Sequence, residues 1–153
     1  MTVYLALGTN LGDRQFNLQE ARSLIAGKTG NFSAVSSVYE TEPWGFESEN
    51  KFLNQVVAVE TTLSPLEILQ QTQKIERQIG RTEKTVHSYQ DRLIDIDLIL
   101  YDDWVLNTEK IQIPHPLFHK RRFVLEPLNE IAGGVVHPVL GKTVALLLQD
   151  MIF

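Results

Sequence analysis

A chain of 153 residues, 43% hydrophobic and 8% aromatic, can bury one proper core but is short for two, so a single domain spanning 1–153 is expected. The lack of cysteine excludes disulfides, thiolate nucleophiles and cysteine-ligated zinc, which leaves oxygen and imidazole as metal donors. A net charge of −5 argues against broad nucleic-acid binding, although seven of the fourteen basic residues fall between Arg81 and Arg122 and make that stretch locally cationic.

In chain order, Val3 to Leu7 is an apolar run that reads as a strand. With Thr2 it is six residues long and carries no basic leader, so neither a signal peptide nor a membrane span is expected, and a cytoplasmic location is. Gly8 to Asp13 is rich in turn formers. From Arg14 to Ala26, Leu18, Ala21, Leu24 and Ile25 recur at helical spacing, with Gly27 placed to end the helix. Phe32 to Tyr39 and Phe52 to Thr61 predict half-buried strands that pair antiparallel. The dozen polar residues joining them, Glu40 to Lys51, exceed what a hairpin needs and predict a working loop.

Ser64-Pro65-Leu66-Glu67 is a capping box with proline at the first helical position, and Leu66, Leu69, Ile75 and Ile79 mark the expected apolar face. The helix stops near Gly80, and Arg81 to Arg92 forms a second long loop. Leu93 to Tyr101 predicts another strand. The order strand, helix, strand, strand, helix, strand implies an α+β, ferredoxin-like antiparallel sheet with two helices on one face. A helical stretch around Phe123 to Ile131, bent at Pro127, and an amphipathic piece from Thr143 to Met151 are additional C-terminal helical segments.

Within Leu93 to Leu100, alternation places Asp95 and Asp97 on one face and Ile94, Ile96, Leu98 and Leu100 on the other. Carboxylates two apart on a strand start from backbones roughly 6.5 to 7 Å apart and can converge on two metals about 3.5 to 4 Å apart. Aspartate is a poor strand former, and two in an apolar strand repel each other unless a cation relieves them. Magnesium with ATP phosphates suits such a site, and Lys110, Lys120, Arg121 and Arg122 join the second loop as candidates to neutralise a triphosphate. His115, between Pro114 and Pro116, can aim an imidazole at a phosphate. Trp44, Phe46, Phe52 and Phe123 are candidates to sandwich a flat heterocycle, with Asn54 at its edge. A P-loop is excluded, because Val136 stands where the motif ending in Gly141-Lys142-Thr143 requires glycine.

Taken together, Gly8-Thr9-Asn10-Leu11-Gly12-Asp13, Arg92-Leu93-Ile94-Asp95-Ile96-Asp97, and Pro114-His115-Pro116 followed by Arg121 to Leu128 resemble the 6-hydroxymethyl-7,8-dihydropterin pyrophosphokinase family of folate biosynthesis. The similarity runs in order from Tyr4 to about Pro138. It implies a ferredoxin-like fold in which Asp95 and Asp97 hold two magnesium ions that bridge ATP to the pterin hydroxymethyl oxygen. It places Phe52 and Phe123 on either side of the pterin, with Thr41, Pro43, Trp44, Asn54 and Asp95 completing the pocket. For ATP it implies Gln73, Glu76, Arg81, Arg92, Leu98, Lys110, Ile111, His115 and Arg121. Of these, Arg92 and Arg121 would stabilise developing charge and His115 would hold a bridging oxygen.

The chain departs from the family in its second loop, where Arg81-Thr82-Glu83-Lys84 and Ser88-Tyr89-Gln90-Asp91-Arg92 replace a pair of close arginines and Arg-Trp-Gly-Pro-Arg. Lys84 and Tyr89 would stand in as a point charge and a covering ring. The implied partners are the two small substrates alone, with no nucleic acid and no membrane, and a monomer is expected. An alternative is a non-catalytic pterin- or nucleotide-binding module with an altered lid. A protein-interaction or nucleic-acid domain of the same fold is a further one, to which the negative charge is ill suited.

Overall fold

The computed structural model describes residues 1–42, 50–80 and 93–151. Strand β1 (Thr2–Thr9) leads into helix α1 (Arg14–Lys28), whose start is fixed by the Asp13 carboxylate accepting the Phe16 N–H at 3.1 Å. The helix runs past Gly27 to Thr29, whose N–H and hydroxyl both donate to the Ile25 carbonyl. Gly30 then turns the chain with φ +152°, so close to the Glu60 carbonyl that a side chain would collide with it.

The strand expected over Phe32 to Tyr39 is broken into β2 (Asn31–Val35) and β3 (Tyr39–Thr41). Both pair antiparallel with β4 (Phe52–Glu60). The break has a local cause: the Ser36 hydroxyl accepts the Val56 N–H at 3.0 Å, a bond that a regular ladder assigns to a carbonyl. Helix α2 (Pro65–Ile79) carries the full capping box, with Glu67 N–H donating to Ser64 Oγ and Ser64 N–H donating to the Glu67 carboxylate. Its buried stripe is Ile68, Thr72 and Ile75, flanked by Leu69 and Ile79. Leu66, expected on that face, is 41% exposed because it lies two residues before Ile68, on another side of the helix.

Strand β5 (Asp95–Tyr101) completes a five-stranded antiparallel sheet in the order β2, β4, β1, β5, with β3 beside β4. This is the ferredoxin-like arrangement the element order implies. A two-stranded ribbon of β6 (Leu106–Asn107) and β7 (Gln112–Ile113) follows, unannounced by any periodicity, and then a cis Ile113–Pro114 bond and a 3-10 turn at Phe118–Lys120. Helices α3 (Arg122–Ala132, with Pro127 inside) and α4 (Val144–Asp150) form the C-terminal additions.

The sheet is covered on both faces, which is why seven consecutive β4 residues, Leu53 to Val59, are buried. Val3, Leu5, Leu7, Leu53, Val57, Ile94, Ile96 and Leu98 pack under α1 and α2. Val56, Ile99 and Leu100, with Tyr4 and Ala6, pack under α3 and α4. Leu100 therefore faces away from Ile94, Ile96 and Leu98, contrary to simple alternation. A bulge is the reason: Leu5 pairs with Leu98 and Tyr4 with Leu100, so Ile99 is an extra residue that reverses the facing beyond it. The second core stops short of Gly8, Asp95 and Asp97, which remain half-buried at the other end of the same face.

Candidate active site

The half-open end of the sheet presents a row of neighbouring residues: Asp95 lies opposite Gly8, Gly8 opposite Asn54, and Asn54 opposite Tyr39. The next rung on the same face sets Thr41 opposite Phe52. Asn54 is buried, and its Nδ2 donates to Thr41 Oγ1 at 2.6 Å. Gly8 forms the floor between the carboxylate and the amide: a Cβ there would stand 3.5 Å from Asn54 Oδ1 and 3.7 Å from the Phe52 ring. Leaving that space bare keeps a flat shelf, a role for Gly8 that its reading as a turn former did not supply. Thr41, Phe52, Asn54 and Asp95 are thus brought together, and Phe123 stands in the first turn of α3 at the margin of the second core.

On the free edge of β5 a cleft of about 320 Å³ lies between α2 and the β6–β7 ribbon, and Asp97, Leu98, Lys110, Ile111 and His115 all line it. Leu69, read in the sequence only as part of the apolar face of α2, and Thr108, which the sequence did not single out, line it too. Thr108 shapes the turn carrying Lys110, since Ile111 N–H donates to Thr108 Oγ1 and Thr108 N–H to the Ile111 carbonyl. Only the closed ribbon reveals this. Gln73 lies one turn beyond Leu69 on α2, exposed and outside the cleft lining.

Glu76, one turn further, reaches the same edge and accepts the Ile96 N–H at 2.8 Å. Burial, and then the charges of Asp95 and Asp97 with a hydrogen bond to Asp95, push its carboxyl up to about 8, against the opposing pull of the Ile96 N–H. His115 is anchored through its N–H to the carbonyl of the bulge residue Ile99, at 2.9 Å. Its Nδ1 accepts the Leu117 N–H at 3.1 Å, so the ring is neutral and carries its proton on Nε2. Burial and the nearby Arg121 guanidinium lower its pKa to about 4, in keeping with that state. Arg121 is itself buried, with its guanidinium 5.8 Å from the centre of the Phe123 ring.

The chemistry of the donor set fits a divalent cation. Asp95 and Asp97 are half-buried neighbours on one face, and magnesium is commonly held by one or two carboxylates with phosphate and water oxygens completing its shell. No group of three histidine or acidic side chains able to hold a metal occurs among the described residues, so phosphate and water oxygens would have to complete the shell of an ion on this pair.

Two cations weighed for phosphate do not join the site. Arg122 pairs with Glu126 at 3.4 Å along α3, and Lys120 lines a separate cavity with His119, Leu140 and Lys142. Pro43, Trp44, Phe46, Arg81, Lys84, Tyr89 and Arg92 lie outside the described residues. No helix among the described residues is long and apolar enough to cross a membrane.

Residues 4–133 match the family model described as 7,8-dihydro-6-hydroxymethylpterin-pyrophosphokinase. Proteins named 2-amino-4-hydroxy-6-hydroxymethyldihydropteridine pyrophosphokinase are similar over most of the chain. The one from Porphyromonas gingivalis is 46% identical over 89% of this chain and 93% of its own length. The one from Aquifex aeolicus is 40% identical over 92% and 86%. Among solved structures, HPPK-DHPS in complex with substrates aligns with a TM-score of 0.79 at 16% identity, covering 99% of this chain. The wild-type HPPK-DHPS of Plasmodium falciparum aligns with a TM-score of 0.77 at 17% identity, again over 99%. This chain spans only 43% and 44% of those two longer chains, and the likeness to them is one of fold.

Proposed function

Because this chain belongs to the 7,8-dihydro-6-hydroxymethylpterin-pyrophosphokinase family, we propose that its half-open sheet face transfers pyrophosphate from ATP to 6-hydroxymethyl-7,8-dihydropterin, releasing AMP, in folate biosynthesis. The carrying observation is the division of labour across two adjacent aspartates. Asp95 stands in the row with Gly8 and Asn54, whereas Asp97 lines the cleft with Lys110 and His115. An acceptor on the shelf and a triphosphate in the cleft would meet between them.

On the shelf, Phe52 and Phe123 supply ring surfaces for the pterin, and Thr41 and Asn54 its polar edge, with Pro43 and Trp44 from the adjoining loop. In the cleft, Leu98 and Ile111 wall the nucleotide, and Gln73 and Glu76 approach it from α2. Lys110 and Arg121 offset phosphate charge; Arg81, Lys84 and Arg92, outside the described residues, would add to this, and Tyr89 would cover the ligand. His115 donates from Nε2 to a phosphate oxygen as a neutral group, so it orients without adding charge. Asp95 and Asp97 would hold magnesium, two ions by family resemblance, which when bound neutralises and orients the phosphates.

The new bond joins the hydroxymethyl oxygen to the β-phosphorus. The bond from that phosphorus to the α,β-bridging oxygen breaks, AMP leaves with the oxygen, and the hydroxyl proton passes to solvent. Rate enhancement comes from placement and charge stabilisation, with no covalent intermediate and no obligatory side-chain base. Residues 1–153 are read as one domain, acting as a cytoplasmic monomer.

Product analysis with ATP, magnesium and the reduced hydroxymethylpterin tests the reading, since AMP marks pyrophosphoryl transfer and ADP ordinary kinase chemistry. Asp97→Ala is expected to lose at least about 100-fold in kcat/KM with an unchanged circular dichroism spectrum. Near-normal turnover in that variant would refute the metal assignment.

A further inference from the structure

Strands β3 and β4 are only briefly paired at the shelf: Tyr39 to Thr41 meets Phe52 to Asn54 through three rungs. A polar cleft of about 390 Å³ opens beside their ends, lined by Asn10, Arg14, Glu40, Asn50 and Lys51, and hydrogen bonds tie the two ends together across it. One guanidinium nitrogen of Arg14, Nη1, donates to the Glu40 carboxylate at 3.1 Å and to the Lys51 carbonyl at 2.9 Å. Asn10 Nδ2 adds a bond to the Asn50 carbonyl at 3.2 Å. Glu40 belongs to β3 and Lys51 immediately precedes β4, so a single side chain on the first residue of α1 grips both stems.

The grip lies behind the shelf. Glu40 pairs with Leu53, which faces the core under α1, whereas Thr41, Phe52 and Asn54 face the other way. Arg14 is about one-third exposed and Glu40 about half, and an ion pair so wetted adds little to stability. Its effect is geometric: it sets the height of Thr41 against Asn54, whose 2.6 Å hydrogen bond a slip of roughly 1 Å would break.

We infer that Arg14, through Glu40 and the Lys51 carbonyl, is a positioning residue for the pterin-binding shelf, an assignment that rests on the shelf reading given above. It touches neither substrate. Steady-state kinetics with each substrate varied in turn tests the inference. Arg14→Ala and Glu40→Ala are expected each to raise KM for the hydroxymethylpterin about tenfold, with KM for ATP and kcat within about twofold of the parent. Glu40→Gln, which keeps an acceptor oxygen, is expected to restore most of the loss, and the Arg14→Ala/Glu40→Ala pair to be no worse than Arg14→Ala alone.

An unchanged pterin KM in Arg14→Ala, or an equal rise in both KM values, overturns the positioning role. Asn54→Ala separates this from failure of the shelf itself. If it raises the pterin KM while Arg14→Ala does not, the shelf stands and the role of Arg14 falls. If it leaves the pterin KM unchanged, the shelf reading falls and the inference with it.

Discussion

Burial acts on Glu76 and His115 in opposite senses. Glu76 is raised to about 8 in the fold, from near 4.3 in an unfolded chain, so between those values the folded state holds a proton that the unfolded state has lost. Stability therefore falls as pH rises through that window. His115 is lowered to about 4 from near 6.5, so the unfolded state holds the extra proton between those values, and stability falls as pH drops through them. His119 and His137 are also shifted downward by burial, with Lys120 adding to the first and His119 to the second, and they act in the same sense as His115. In metal-free buffer the melting temperature is thus expected to peak near pH 6 to 7, where these slopes exchange dominance. Glu76→Gln should flatten the alkaline limb and steepen the acid limb, where Glu76 works against the histidines throughout its window, and thermal melts from pH 4.5 to 8.5 check both. An unaltered alkaline limb would show that the proton resides elsewhere. Strand alternation alone made the aspartate pair visible in the sequence. The approach of Glu76 to the Ile96 N–H was not visible, because no local pattern says which helix will lie along a sheet edge.

Helix α2 separates its functions by face and by end. Ser64 and Glu67 fix its start, Ile68, Thr72 and Ile75 bury it, and Leu69, Gln73 and Glu76 follow one another along the side toward β5. Ser64→Ala should remove the bond from the Glu67 N–H to the Ser64 hydroxyl and cost about 1 kcal/mol of stability, read by denaturant unfolding, with little change in KM for either substrate. Gly30→Ala should be harsher, about 1–3 kcal/mol, because the positive φ and the Glu60 carbonyl leave no place for a side chain. Where the sequence carried both a cap and a period, as for α2, the element was legible to within a residue or two. Where a serine side chain took over a ladder bond, as at Ser36, or where strands were only two residues long, as in β6 and β7, there was no period to read.

Across the whole chain, the order of strands and helices was enough to imply the sheet, because a strand followed by a helix and an antiparallel pair has few ways to close. The division of the second face was not implied. That α3 and α4 cover only the end containing Tyr4, Val56 and Leu100 depends on the long return from β5 to α3, a tertiary matter. It is also what gives one face both a dry half and a half-open one, where the ligands are proposed to bind. Ligand linkage should report on the latter: ATP with magnesium is expected to raise the melting temperature in proportion to the logarithm of its concentration above Kd, and Asp97→Ala should lose most of that increment. An equal increment in the variant would place the nucleotide away from the acidic strand.

The bulge at Ile99 allows β5 to obey two masters. Before it, odd-numbered positions carry the acids outward; after it, Tyr101 is returned to the opposite core, where its hydroxyl donates to the Leu63 carbonyl at 2.6 Å. Excising Ile99 would restore a regular ribbon and force a choice between keeping the acids on the half-open face and keeping Tyr101 docked. The single surplus residue acts as a clutch between chemistry and scaffold, so that either half of the strand can drift in sequence without dragging the other out of phase.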